Sequence, residues 1–278
     1  LTLSDYSLAG TITHRSFDSA TLGREYKYNV YLPTSYESAV LNFPVLYLLH
    51  GSNGDENDWP DNGKVQQTAD QLIESGAIPP TIIIMPGNKS WWVDGYNESA
   101  KTAFFNDLIP HVEETFPAIS DRTGRLVAGL SAGGYGAINF ILEYPHMFTA
   151  GAALSPASYV PYPPPTSSAR SHPAFLTSDG EFDKDLWERL NYTKYIDAYK
   201  AQDIQVPLYI NSGDHDEFDI AFHGAVLYQS LREHQADRIE YRVVDGGHDW
   251  VVWARTLPDA LSYIYRFSSH PKESDRSK

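Results

Sequence analysis

GRLVAGLSAGGYGA, residues 124–137, is the stretch on which the fold of this chain turns. Its first half, RLVAGL, is an unbroken apolar run of the kind that forms a strand covered on both faces. Its second half opens an Ala- and Gly-rich helical pattern that continues through residues 132–143. Between the two lies Gly129-Leu130-Ser131-Ala132-Gly133, a G-x-S-x-G pentapeptide. A strand running into a sharp turn and out into a helix, with serine at the tip, is the geometry that presents a nucleophilic hydroxyl above a sheet edge. Glycines flank the serine because so tight a turn leaves no room for neighbouring Cβ atoms. The competing reading makes Ser131 a helix cap, and residues downstream decide between the two.

Outward from this point, strand and helix patterns alternate. Strands are expected at residues 11–17, 25–32, 43–50, 81–85, 125–130, 149–154, 206–210 and 239–244. Helical spacing covers 66–74, 101–116, 132–143, 220–233 and 250–267, with Pro110 and Pro258 as interruptions. The rhythm breaks after the sixth strand, where SPASYVPYPPPTSSARSHPAFLTS is too rich in proline for regular structure. This is read as an insertion, a lid region over 155–195, and not as a linker, because the pattern resumes afterwards. The expected architecture is α/β: one domain over 1–267 with a mostly parallel central sheet and helices on both faces. Residues 268–278 read as a polar, disordered tail.

Composition removes several functions. Lys plus Arg number 21 against 36 Asp plus Glu, a formal net charge of -15, so a phosphate backbone would be repelled and nucleic acid is not expected as a partner. An aromatic content of 13% argues against a disordered chain. No run of 18 or more apolar residues is present, so no membrane span is expected. With Cys 0, disulfides, thiolate metal sites and a cysteine nucleophile are excluded. Leu1 in first position is compatible with a removed leader or a trimmed chain.

A serine hydroxyl needs a base. Of 10 histidines, His248 is the candidate, in Asp245-Gly246-Gly247-His248 between the last strand and the last helix. His146 and His234 read as surface residues, and His50, at a strand end before Gly51, reads as a structural partner of its loop. The acid that orients the imidazole is expected after an earlier strand, where NSGDHDEFD (211–219) offers Asp214, Asp216, Glu217 and Asp219. Spacing alone does not choose among them. A calcium loop fails here: position six from Asp214 is Asp219 where glycine is required, and position twelve is Ala225 where glutamate is required. Oxyanion donors are expected from the N–H of Ala132, at the helix start, and of Ser52, in the loop His50-Gly51-Ser52-Asn53-Gly54. Zinc is disfavoured, since H-E-x-x-H is missing and the histidines show no ligand spacing.

With these pieces placed, the chain resembles the esterase-D-like branch of the α/β-hydrolases, carbohydrate esterase family 1 in particular. The motifs are YLLHG with Trp59, SWWVDGYN at 90–97, GRLVAGLSAGGYGA, the GDHDEF turn and GGHDWVVWARTL at 246–257. The resemblance covers residues 24–267 and implies an α/β-hydrolase fold, a Ser131 nucleophile, a His248 base and a G-x-x-D acid that maps onto Asp216. It also implies oxyanion donors at Ser52 and Ala132. S-formylglutathione hydrolases of this branch carry Met and His around the elbow, where Ala132 and Tyr135 stand here, which moves weight toward esterases that act on decorated polysaccharides. Trp91, Trp92 and Tyr96 are candidates to stack on a phenolic acyl group or a sugar ring, whereas Trp250 and Trp253 read as core.

The expected function is that of a serine carboxylesterase cleaving short-acyl or hydroxycinnamoyl (feruloyl) esters through an acyl-enzyme, with no metal or cofactor. Its substrate is a small-molecule or polysaccharide-linked ester, and a polymer-bound substrate favours a secreted or periplasmic setting. Oligomeric state is left open. The alternatives are an S-formylglutathione-type thioesterase or acyltransferase and, from another class, a non-catalytic binding protein on a hydrolase scaffold.

Overall fold

The apolar runs become the centre of a sheet in the computed structural model, which describes residues 9–37 and 40–273. Strands β1 (Thr11–Ser19), β2 (Arg24–Leu32), β3 (Val45–Leu49), β4 (Ile82–Pro86), β5 (Arg125–Leu130), β6 (Ala150–Leu154), β7 (Leu208–Gly213) and β8 (Ile239–Val244) form one eight-stranded sheet. Their order is β1-β2-β4-β3-β5-β6-β7-β8. β2 runs antiparallel to both neighbours and all other pairs are parallel. This is the α/β-hydrolase fold.

Every residue of β3 and β5 is buried, because both faces of the sheet are covered. Val45, Tyr47 and Leu49 face a core shared with the helical segment 100–115 and with Ala132–Glu143 and Ile220–Arg232. Leu46 and Leu48 face the other core, closed by Val65–Glu74 and Trp250–Ile264. The chain leaves β3 toward β4 on one side and later returns through β5 to the other. The carboxyl ends of β3 and β5 therefore border a topological switch point, where ligands bind in open α/β sheets.

Two proline positions behave differently from each other. A π-helical turn, Phe104–Leu108, immediately precedes Ile109–Thr115 within the helical segment 100–115, so Pro110 is accommodated directly after a widened turn. Pro258 was expected to kink or break the last helix, yet Trp250–Ile264 runs through it without interruption. Val252, Leu257, Ala260, Leu261 and Ile264 are all buried against the sheet, and their packing outweighs the single backbone hydrogen bond that proline removes.

The Pro-rich region is ordered. The insertion 155–195 contains short turns at Ser168–Arg170 and Pro173–Phe175 and the helix Lys184–Leu190, and the helix Ile196–Lys200 follows it. Tyr159, Ala169, Phe175 and Trp187 form a small core of their own with Trp91 and Tyr135, which seats the insertion on the elbow helix. The start of the expected tail is ordered as well. Ser269 donates its N–H to the Thr123 carbonyl, and Lys272–Glu273 pairs antiparallel with Leu41–Asn42. A polar sequence is held here by backbone pairing, which apolar patterning does not report; residues 274–278 lie outside the described part. Among the described residues, no helix is long and apolar enough to cross a membrane.

Candidate active site

Ser131 follows β5 directly at φ 50, ψ -115, a conformation that costs a non-glycine residue roughly 1–3 kcal/mol. The surroundings hold it there. Ser131 donates its N–H to Leu154 O at 2.9 Å, and its own carbonyl accepts from Tyr135 at 2.9 Å and Ala157 at 3.0 Å. The turn closes because Gly129 and Gly133 touch: a Cβ on Gly129 would lie 2.4 Å from the Gly133 carbonyl carbon. A Cβ on Gly133 would meet the backbone oxygens of Leu49 and His50 at 2.4 and 2.5 Å. Backbone atoms of a central strand cannot yield, so Gly133→Ala is expected to destabilise the fold by about 2–4 kcal/mol. Thermal unfolding would show this as a Tm lowered by roughly 5–15 °C.

The loops after β7 and β8 are laced together. Asp214 donates its N–H to Val244 O at 2.8 Å and His215 to Gly246 O at 3.0 Å, while the Asp214 carboxylate accepts from the Gly246 N–H at 3.0 Å. Gly246 sits at φ 132, which favours glycine, and a side chain there would also strike Val252. Asp249 then caps the last helix, accepting from the N–H groups of Val251 and Val252, and so sets the exit of the chain just after His248.

This lacing aligns three side chains. The His248 Nε2 lies 2.9 Å from Ser131 Oγ, and its Nδ1 lies 2.6 Å from Asp216 Oδ2. The Asp216 side chain is fully buried, and its second oxygen accepts from the Phe218 N–H at 3.0 Å. The His248 ring is clamped edge-on between Phe218 and Trp253, with centroids 4.9 and 5.0 Å away. Of the four acids left open by spacing, Asp216 is the one that meets the imidazole. Asp214 is turned to the Gly246 N–H and to His215 Nδ1, 2.7 Å away.

Ser52 and Ala132 both lie beside Ser131. As the first residue of its helix, Ala132 has an N–H with no acceptor one turn back. Ser52 shares a pocket of about 300 Å³ with Ser131 and His248, and its Oγ accepts from the Trp91 indole at 2.9 Å. Beyond this bridge opens a second hollow of about 420 Å³ bordered by Asn88, Lys89, Asn97 and His172 together with Trp91, Trp92 and Pro173.

The three aromatic candidates separate. Trp91 lines the pocket. Trp92 does not: at φ 60 its backbone reverses, its ring is fully buried against Gly136 and Phe104, and its indole N–H donates to His50 O at 3.1 Å. Tyr96 is also absent from the pocket wall. It ties the 90–97 loop to the insertion, with its hydroxyl donating to Asp183 at 2.6 Å and its N–H to Ala174 O at 2.9 Å. The pocket holds residues that sequence reasoning missed: Asp58, Tyr159, Ser167, Ser168, Phe218 and Trp250. Trp253, read as core, is both core and pocket wall. The position of Phe218 two residues after Asp216 was a usable signal; the insertion offered none.

His50 is a structural residue. Its Nε2 accepts from the Asn88 N–H at 3.1 Å, so its Nδ1 carries the proton and donates to Gly51 O at 2.7 Å. Burial pushes the imidazole down to about 4 from its usual 6.5. Between these values the unfolded chain binds a proton that the folded chain refuses, so stability falls as pH drops from 6.5 toward 4, by about 3 kcal/mol in all. We expect Tm to fall between pH 7 and pH 5, with a shallower fall in His50→Gln; an equal slope in both would refute the assignment.

Comparisons with known proteins show what the chain is similar to. The family profile described as "Putative esterase" matches residues 19–264. The chain is 31% identical over 219 residues to an endo-1,4-beta-xylanase/feruloyl esterase of Xylanibacter ruminicola, covering 75% of this chain and 29% of that one. It is 24% identical over 234 residues to an acetyl esterase of Caldicellulosiruptor saccharolyticus, covering 82% and 85%. A solved ferulic acid esterase superposes with a TM-score of 0.81 at 28% identity, covering 94% of this chain and 99% of that one. The chain belongs to the esterase family of α/β-hydrolases.

Proposed function

We propose that this chain is a serine carboxylesterase that hydrolyses short-acyl or feruloyl esters borne on carbohydrate. The observation that carries the reading is the unbroken hydrogen-bonded line from Ser131 Oγ through His248 to Asp216. In this reading Ser131 Oγ attacks the ester carbonyl as His248 Nε2 takes its proton. The oxyanion forms between the Ser52 and Ala132 N–H groups. Collapse breaks the bond to the alcohol oxygen, which leaves with the proton from His248. Water, deprotonated by the same imidazole, then frees the acid and restores Ser131. Asp216 holds the imidazole in the tautomer with Nδ1–H and stabilises its cation. Residues 1–267 act as one catalytic domain, with 155–195 as a cap that supplies Tyr159, Ser167 and Ser168 to the pocket.

The feruloyl preference is supported by the aromatic wall of Trp91, Tyr159 and Phe218 and by the likeness to a solved ferulic acid esterase. The test is kcat/KM for methyl ferulate against p-nitrophenyl acetate. Comparable or faster turnover of the ferulate is expected, despite the better leaving group of the acetate. Fast acetate turnover with negligible ferulate would restrict the pocket to small acyl groups and favour deacetylation or thioester hydrolysis.

A further inference from the structure

We propose that Asp58 recognises the alcohol half of the substrate, accepting hydrogen bonds from hydroxyls of a neutral sugar that stacks on Trp250. The inference rests on the esterase reading of the same pocket and adds to it the residue that senses the sugar. The leaving alcohol must take its proton from His248 Nε2, so the sugar lies on the His248 side of the pocket. From that imidazole one wall continues through perpendicular aromatic contacts to Trp253 at 5.0 Å and on to Trp250, 5.3 Å from Trp253, which is backed by the buried Trp59 at 5.2 Å. Asp58 immediately precedes Trp59 and lines the same pocket as Ser131, Trp250 and Trp253. The insertion's part of the lining is Tyr159, Ser167 and Ser168, and it is left for the acyl group.

Asp58 is suited to hydroxyl recognition. Among the described residues, no Lys, Arg or His lies within ion-pair distance of its carboxyl, so its oxygens are not committed to a cation. Partial burial raises its pKa, as do Asp55, Asp61 and Glu56, against a backbone hydrogen bond from Asp55. A half-buried carboxylate without a cation gains by accepting from neutral O–H donors, which return hydrogen bonds lost with water. An apolar indole face beside it is complementary to the C–H face of a sugar ring. The same group of carboxylates repels an anionic leaving group.

The experiment compares a feruloyl ester of arabinose with methyl ferulate in the wild type and in Asp58→Asn. The ratio of kcat/KM for the sugar ester to that for the methyl ester is expected to fall about 10- to 100-fold in the variant, carried mainly by KM, as for loss of a charge-assisted hydrogen bond. Asp58→Glu, which restores the carboxylate, is expected to recover part of the ratio. A ratio unchanged in Asp58→Asn, or equal losses on both esters, would overturn the proposal and leave the esterase reading standing. If the wild type hydrolyses neither ferulate ester but does turn over p-nitrophenyl acetate, the feruloyl reading falls and this proposal with it.

Discussion

Ser131→Ala is expected to lower kcat/KM for any ester substrate by about 10⁴- to 10⁶-fold, with KM little changed where binding is at equilibrium. In the proposed mechanism the hydroxyl oxygen forms the acyl bond, so its loss removes the covalent route. The residue that remains would come from polarisation of the carbonyl by the Ser52 and Ala132 N–H groups. The backbone should hold, since alanine at φ 50 carries the same Cβ as serine and the bonds to Leu154, Tyr135 and Ala157 are all main-chain. Tm is accordingly expected to stay within a few degrees of the wild type, because one side-chain hydrogen bond is worth about 1 kcal/mol. The decisive measurement is the burst of p-nitrophenolate from p-nitrophenyl acetate. The wild type should release about one equivalent per chain before the steady state, and the variant none. Retained turnover in a folded Ser131→Ala protein would remove the acyl-enzyme mechanism.

What the sequence made legible follows from where information is local. The central strands announce themselves as apolar runs because both faces are covered, and the elbow announces itself because its turn demands small residues at fixed offsets. The insertion lacks any such period. Its structure comes from aromatic packing between residues far apart in the chain, such as Tyr135 stacked on Trp187 at 5.2 Å, so its contribution to the pocket could not be read. Trp91 and Trp92 show the limit most sharply. They are neighbours of identical chemistry and both are buried, yet with the positive φ at Trp92 one ring borders the Ser131 pocket and the other packs into the core away from it. The pair Trp250 and Trp253 fails in the opposite sense: a helix face that packs on the sheet can end at the site, so core and pocket wall are not exclusive descriptions.

The choice among acids was likewise closed to spacing and open to geometry, and it supplies the second test. Asp216→Asn is expected to lower kcat about 10³- to 10⁴-fold. The asparagine carbonyl can keep the Phe218 N–H, which leaves the amide nitrogen to donate to His248 Nδ1. The imidazole must then carry its proton on Nε2, facing Ser131, where it can no longer accept one. The cation that forms during attack also loses the buried charge 2.6 Å away that stabilises it. Asp214→Asn is the matched control, two residues away in the same loop. Its carboxylate is exposed and serves the Gly246 N–H and His215, so the loss there is expected to stay within about tenfold, from loosening of the loop that carries His248. The two variants separate orientation of the base from support of the loop: the first acts on kcat with the fold intact, the second through mobility of the His248 loop. A larger loss in Asp214→Asn than in Asp216→Asn would transfer the acid role to the exposed carboxylate and overturn the assignment.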